Sequence, residues 1–339
     1  MTTGPSKKHI AVLAGGYSGE AVISFQSAAT VMENIDTDLF SPTLVRIDSD
    51  RWWVAMEGNP SIDQTSFTFM DTNGVTQGFD AVFIMVHGTP GEDGILQKYF
   101  ENLGLPFTTG PSESVTGTFN KYATTKLLRN SGFSVGDSIL IKSSDEVDEK
   151  FLERIVSDVG LPCFVKPNQG GSSLGINRVE KASDLISAIN AAGETECESI
   201  IVESLLVGRE FSMGVVPAND GTPVSMPITE IVTENLFFDY EAKYEGASDE
   251  ITPAEISETQ KAQMQNAGVK AYNQLGCRGM VRIDFILVDD QIPAILEVNS
   301  VPGFSKMSIL PQQLECLGIP ISTMLTRVLN QCMILEDFR

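Results

Sequence analysis

The chain has no apolar run near the roughly 20 residues needed to cross a bilayer, so a membrane-spanning role is not expected. Its five cysteines (Cys163, Cys197, Cys277, Cys316 and Cys332) are scattered, odd in number and never in a C-x-x-C pair. That excludes a disulfide framework and a structural zinc, and a reduced, cytoplasmic protein is expected. Basic residues are scarce, 23 against 45 acidic ones, for a net charge of −22. Such a balance argues against nucleic acid or an anionic membrane surface as a partner. The N-terminal run Ile10-Ala11-Val12-Leu13-Ala14 is too short for a signal-peptide core and leads into glycines rather than a cleavage site. It reads as a first buried strand. Internal repeats and low-complexity tracts are lacking too.

What is present describes a globular enzyme-sized chain: 339 residues, 42% apolar and 20% charged. That length predicts two or three domains. Residues 9–110 alternate short apolar strands with helical stretches: Ile10–Ala14, a helix from about Ala21 to Asn34, then strands at Thr43–Ile47 and Ala81–Val86. This is the pattern of a parallel α/β domain, in which ligands gather at the C-terminal ends of strands. His87-Gly88-Thr89-Pro90-Gly91-Glu92-Asp93-Gly94 follows such an end. From about Ser112 a second region begins. Asn120-Lys121 opens a helix, Leu161–Pro167 is a strand, a helix runs from about Ser183 to Ala192, and Ser199–Glu203 and Glu210–Val216 are further strands. Residues 228–249 read as polar, aromatic and irregular, followed by a helix near 257–275 and a terminal helix from about Ile321.

The most informative stretch lies near the C-terminus, where two apolar, β-branched runs (281–288 and 292–298) flank Asp289-Asp290-Gln291. A turn centred between Asp290 and Gln291 would put Asp284 opposite Glu297. Strand alternation then sends Arg282, Asp284, Glu297 and Asn299 to one face. Two carboxylates and an amide oxygen suit Mg2+ or Mn2+ better than zinc. The adjacent arginine suggests phosphates and developing negative charge.

Upstream, Lys166-Pro167 and Gly170-Gly171-Ser172-Ser173-Leu174-Gly175 resemble a phosphate-holding loop, since glycines admit close backbone approach and serines add donors. Ile200–Leu206 ends a strand in an apolar connector whose backbone could read an adenine edge, with Glu210 placed to accept from a ribose. Burial of Leu205 and Leu206 in an ordinary core is the competing reading of that connector.

Together these pieces resemble the ATP-grasp superfamily, and within it the D-alanine–D-alanine ligase family. The resemblance rests on Gly15-Gly16-Tyr17-Ser18-Gly19-Glu20, His87-Gly88 with Gly91-Glu92-Asp93-Gly94, and Lys166-Pro167 with Gly171–Gly175. Asp239-Tyr240-Glu241-Ala242-Lys243-Tyr244, Arg282-Ile283-Asp284 and Glu297-Val298-Asn299-Ser300-Val301-Pro302-Gly303 complete it. It implies an ATP-grasp fold: an α/β N-terminal domain (1–114), a central subdomain (115–206) and a C-terminal α+β subdomain (207–339). The implied reaction joins two D-alanines through a D-alanyl phosphate at the expense of ATP, for peptidoglycan precursors, in a cytoplasmic homodimer. Glu20 would hold the first D-alanine's ammonium, with His87 nearby. Lys121, Lys166, Ser173 and Lys243 would meet ATP, and Glu203, Ser204, Leu206 and Glu210 its adenine and ribose. Asp284, Glu297 and Asn299 would bind two Mg2+ or Mn2+ ions. Arg282 and the Gly303 N–H would stabilise the tetrahedral intermediate, and Ser308 would receive the second substrate's carboxylate. A lid carrying Lys243 and Tyr244 would close, linking Tyr244, Ser172 and Glu20. Departures from the commonest pattern are Ala21 and Val22, where a charged pair often stands, Gly170 in place of glutamate, and Phe238 in place of tyrosine. The nearer alternatives are a D-alanine–D-lactate or D-alanine–D-serine ligase, or another ATP-grasp carboxylate–amine ligase.

Overall fold

A computed structural model describes residues 7–170, 175–194, 197–233 and 248–336. In the N-terminal part, β1 (Lys8–Gly15) is flanked by parallel β2 (Phe40–Ile47) and β6 (Ala81–Ile84), with β3 (Trp52–Val54) antiparallel at the edge, in the order β3-β2-β1-β6. β1 is buried on both faces, as its unbroken apolar sequence requires. One face packs against α1 (Ala21–Asn34), and the other buries Val45, Phe67 and Phe100 in a separate cluster. A small ribbon, β4 (Phe69–Met70) with β5 (Thr76–Gln77), and the helix α2 (Ile95–Leu103) complete this part. The strands and the helix expected from the pattern of residues 9–110 are present, although β2 begins at Phe40, three residues early, and the ladder of β6 stops at Ile84, two residues short.

Helix α3 (Ser112–Phe119) leads to α4 (Lys121–Asn130), whose first turn is capped by the Asn120 side chain accepting from the Ala123 N–H. The second sheet is antiparallel throughout: β7 (Ser138–Lys142), β10 (Ser199–Ser204), β8 (Cys163–Pro167) and β9 (Asn177–Val179), in the order β7-β10-β8-β9. It is covered by α5 (Glu149–Asp158) and α6 (Leu185–Gly193), the latter entered through a 3-10 turn at Ala182–Asp184.

The third sheet has five strands in the order β13-β12-β11-β14-β15, formed by β11 (Gly208–Pro217), β12 (Pro223–Thr233), β13 (Ser248–Ile251), β14 (Val281–Val288) and β15 (Ile292–Asn299). The irregular reading of residues 228–249 is thus corrected at both ends. Ile228, Ile231, Val232 and Thr233 are β-branched and continue β12, and the sheet regains an edge at β13. One face of this sheet packs on α7 (Glu258–Gln274), opened by a Ser257–Gln260 capping box. Val281, Ile283 and Phe285 point into that core, so Arg282 and Asp284 point away from it. The chain ends in α8 (Ile309–Cys316) and α9 (Ile321–Glu336). Helix α9 returns to the N-terminal part, where Leu325, Val328 and Leu329 share a core with Ile10, Val12 and Phe83.

The β14–β15 hairpin pairs Asp284 with Glu297 as expected, by a different route. The turn centres on Asp290, because Val288 faces Ile292, and Asp289 and Asp290 both adopt left-handed φ (51° and 56°). That register alone would set Asp284 against Leu296. A bulge between the Phe285–Ile295 and Asp284–Glu297 pairs leaves Leu296 as an extra residue, and this shift returns Glu297 to the functional face.

Phe285 is fully buried between β14 and α7. Phe285→Ala is expected to cost about 3–5 kcal/mol in urea denaturation. A loss below about 1 kcal/mol would mean that this core does not anchor the hairpin.

Candidate active site

A cavity of about 590 Å³ opens where the N-terminus of α1, the loop after β6, the β14–β15 hairpin and the segment 301–309 converge. It gathers Glu20, His87, Arg282, Glu297, Asn299, Gly303 and Ser308, seven of the residues singled out from sequence.

Glu20 precedes the first residue of α1, where the helix dipole favours a carboxylate. Its placement depends on Gly88, which has φ +64°: a Cβ there would lie 2.7 Å from Glu20 Oε2 and 2.5 Å from Ser18 Oγ. No other residue type fits without moving that carboxylate.

His87 is buried, and both ring nitrogens are engaged. Nδ1 lies 2.9 Å from the Val301 carbonyl and Nε2 3.0 Å from Ser27 Oγ. Ser27 Oγ in turn accepts from the Phe304 N–H at 3.0 Å. Burial holds the imidazole pKa down at about 4, and the nearby Arg282 charge adds to the effect. The ring is therefore neutral, with Nδ1–H donating to Val301 and Nε2 accepting from Ser27. Rather than standing alone at the substrate, His87 fastens the 301–304 segment, and with it Gly303, to α1.

On the hairpin face, Asp284 is the hub. Arg282 donates to it from Nε (3.0 and 3.2 Å) and Nη2 (2.9 Å), Asn299 Nδ2 donates at 3.1 Å, and Ser212 Oγ donates at 2.6 Å. Among the described residues no group of three or more His, Cys, Asp or Glu forms a ready metal cluster. The donors on offer are Asp284, Glu297 and the Asn299 amide, all hard oxygens, and such a set fits Mg2+ or Mn2+.

Ser308 caps the N-terminus of α8 without a side-chain capping bond. Its hydroxyl lies 2.9 Å from Ser305 Oγ. A Cβ on Gly303 would come within 3.2 Å of Ser308 Oγ, so the two are neighbours. A hydroxyl at a helix N-terminus suits a carboxylate.

The nucleotide-side residues form a second group. Asn168 ties the end of β8 to α4: it bonds Asn120 Oδ1 at 3.1 Å and accepts from the Tyr122 N–H at 2.9 Å. This brings Lys121 Nζ to the Gly170 carbonyl at 2.5 Å. Lys166 pairs with Glu203 at 2.5 Å. Burial opposes the Lys166 charge, but the Glu203 carboxylate outweighs it and raises the pKa. Lys121 is pushed down, by burial first and by Lys166 in part, while Glu297 and Glu92 oppose the shift. The lysines and the hairpin carboxylates thus belong to one electrostatic neighbourhood. Ser204 accepts from the Asp137 N–H through its hydroxyl and gives its own N–H to the Asp137 carbonyl, so both groups serve the sheet. Leu205 and Leu206 are half-buried rather than core, against the ordinary-core reading, and Glu210 is half-buried on β11. Ser172, Ser173, Lys243 and Tyr244 lie outside the described residues.

Three residues escaped the sequence reading. Glu92 lines the cavity and accepts from the Gly88 N–H at 2.7 Å; burial, then the charge of Glu20, pushes its carboxyl up to about 8. Its place inside the His87–Gly94 motif was the signal available. Ser212 is visible only once β11 is paired with β14, where it faces Asp284. Glu250 lies one residue past the stretch read as irregular and was given no role.

The pKa of His87 generates a prediction. As pH falls below 6.5, protons bind the unfolded chain first, so stability drains away between pH 6.5 and about 4. His87→Asn should be less stable at neutral pH yet lose about 2–3 kcal/mol less than the parent between pH 7 and 4.5. Parallel pH dependence of the two proteins in urea denaturation would contradict the buried neutral ring.

Comparison with known proteins gives this geometry its context. The model described as D-ala D-ala ligase N-terminus matches residues 9–110, and that described as D-ala D-ala ligase C-terminus matches residues 127–330. A D-alanine–D-alanine ligase from Phocaeicola vulgatus is 38% identical over 326 residues, 96% of this chain and 99% of that one. Among solved structures, the VanG D-Ala:D-Ser ligase from Enterococcus faecalis superposes with a TM-score of 0.84 at 30% identity, covering 96% of this chain and 99% of that one. The D-alanine-D-alanine ligase from Coxiella burnetii gives a TM-score of 0.85 at 26% identity, covering 98% of this chain and 97% of that one. With both halves matched and relatives aligned over nearly their full length, the chain belongs to the D-alanine–D-alanine ligase family and is an ATP-dependent ligase of the ATP-grasp fold.

Proposed function

We propose that the cavity holds both amino-acid substrates, with the first D-alanine at the Glu20 end and the second at Ser308, and that the face of Arg282 and Asp284 lies over the reacting groups. The observation that carries this reading is that the Glu20 carboxylate, the Arg282 guanidinium, Gly303 and the Ser308 hydroxyl line one cavity. The first carboxylate attacks the γ-phosphate of ATP, giving an acyl phosphate and ADP. The second substrate's ammonium gives up a proton, its free amine attacks the acyl carbon, and phosphate leaves with the electrons of the C–O bond and the nitrogen's surplus proton. Neither step needs a protein nucleophile, and positioning with electrostatic stabilisation does the work.

Each residue takes the role that its chemistry allows. Glu20 receives the first ammonium. Lys121 and Lys166 receive phosphate oxygens, which requires Lys166 to share its charge between Glu203 and the nucleotide. Glu203, Ser204, Leu206 and Glu210 border the adenosine, Ser204 and Leu206 through backbone groups. Ser173 and Lys243 add donors to the phosphates, while Ser172 and Tyr244 link to Glu20 as the lid closes and shuts out water. Arg282 and the Gly303 N–H face the oxyanion of the tetrahedral intermediate. Asp284, Glu297 and Asn299 would hold two Mg2+ or Mn2+ ions, which when bound neutralise phosphate charge. The division at residues 114 and 206, a homodimeric assembly and a cytoplasmic setting belong to the same reading. None of the five cysteines is in a disulfide, and no described helix is long and apolar enough to cross a membrane. D-alanine is the expected second substrate, a neutral phenol at Tyr244 offering no extra cation for a hydroxy acid anion.

The test is ATP-dependent phosphate release with D-alanine, set against L-alanine and no amino acid, in the parent and Arg282→Ala. D-alanine alone should stimulate release in the parent, and the variant should lose about 10²-fold or more in kcat. A defect confined to KM for ATP would move Arg282 from the reacting carbon to the nucleotide.

A further inference from the structure

The end of the cavity beyond Arg282 carries a charged residue with no role in the scheme above. Glu250, on β13, lines the same space as Arg282, Gly303 and Ser308. Its place follows from the sheet: Glu250 pairs with Ile231 on β12, Ile231 with Glu210 on β11, and Glu210 with Ile286 on β14. Cross-strand partners share a face, so Glu250 stands on the side of the sheet that presents Arg282 and Asp284. Gln312, in the first turn of α8, then fixes it. Its Nε2 donates to Glu250 Oε2 at 2.5 Å and to the Met307 carbonyl at 2.9 Å. One amide group therefore clamps the Glu250 carboxylate to the segment that bears Ser308.

An α-amino acid carries its ammonium and carboxylate on one carbon. A receptor for it needs an anion and a carboxylate-binding group held at a fixed, short spacing. Ser308 at the start of α8 supplies the second, and Glu250, tied to the residue before Ser308, supplies the first. We infer that Glu250 recognises the ammonium of the second D-amino acid, and that this pairing adds to the lid's preference for an amino acid over a hydroxy acid such as D-lactate. The inference rests on the reading of Ser308 as the acceptor carboxylate site. D-Lactate has the same carboxylate and the same methyl group but no cation, so at Glu250 it meets a carboxylate with nothing to offset it. Burial already disfavours the Glu250 charge and raises its pKa, with Gln312 and Arg282 opposing the shift. A cation arriving beside such a group is worth more than one meeting a solvated carboxylate.

The decisive variant is Glu250→Gln. Glutamine retains a carbonyl oxygen to accept from Gln312 and removes only the charge, so the clamp on residues 307–312 survives. The parent, Glu250→Gln, Glu250→Asp and Ser308→Ala are each given ATP, Mg2+ and D-alanine, with and without equimolar D-lactate at pH 7.5. Dipeptide and depsipeptide are then separated and counted. In Glu250→Gln, KM for the second D-alanine should rise about tenfold or more, and the product ratio should move by a similar factor toward depsipeptide. KM for ATP and for the first D-alanine should stay within about twofold, which also reports an intact fold. Glu250→Asp should recover part of the selectivity. Ser308→Ala should weaken D-alanine and D-lactate alike, leaving their ratio unchanged. If Ser308→Ala weakens the acceptor but Glu250→Gln leaves the product ratio as in the parent, Glu250 does not read the ammonium, and the inference fails by itself. If Ser308→Ala leaves the acceptor KM untouched, the acceptor site lies elsewhere and both readings fall.

Discussion

The Asp284 carboxylate organises this site. Three side chains from three strands donate to it: Arg282 on its own strand, Ser212 from β11 and Asn299 from β15. Each bond involves a charged acceptor and is stronger than a neutral pair. Asp284 is mostly withdrawn from solvent, 13% exposed in its side chain, and a carboxylate there without partners would be costly. The cluster therefore fixes the orientation of Arg282, the register of β15 and the face on which Glu297 appears. Arg282 engages both Asp284 oxygens, so the carboxylate also sets the aim of the guanidinium.

A second linkage joins the two ends of the cavity. Helix α1 carries Glu20 at its start and Ser27 two turns later, and Ser27 bridges His87 to the Phe304 N–H. His87 grips the Val301 carbonyl. The segment that presents Gly303 is thus pinned to the helix that presents Glu20, although the two are far apart in sequence. Helix α9 reinforces this by packing its apolar side into the core of the N-terminal sheet. Catalysis by positioning requires such rigidity, since no covalent intermediate with the protein holds the substrates in place.

Much of this arrangement was legible in the sequence, for physical reasons. Val281, Ile283 and Phe285 alternate with Arg282 and Asp284, and a strand buried on one face must place the latter pair together. The glycines around Glu20 and His87 mark backbone that approaches other groups closely, as Gly88 does. What stayed hidden depended on tertiary pairing. The Leu296 bulge has no local signature, and the correct opposition of Asp284 and Glu297 arose from two compensating shifts, one in the turn and one in the strand. Ser212 looks like any strand serine until β11 lies beside β14. Glu250 belongs to a four-residue edge strand, too short for periodicity to declare itself. The helix α3 contains Thr, Ser and Gly, poor helix formers, and holds its shape through packing on neighbours.

The central claim is that the hairpin face built on Asp284 is where the metal-bound nucleotide meets the substrates. Electron paramagnetic resonance of Mn2+, titrated into the protein with ADP, tests it without requiring turnover. The parent should bind two Mn2+ per chain when ADP is present, and Asp284→Asn should lose at least one of them while still binding ADP. Two Mn2+ bound by Asp284→Asn with the parent's affinity would contradict the account.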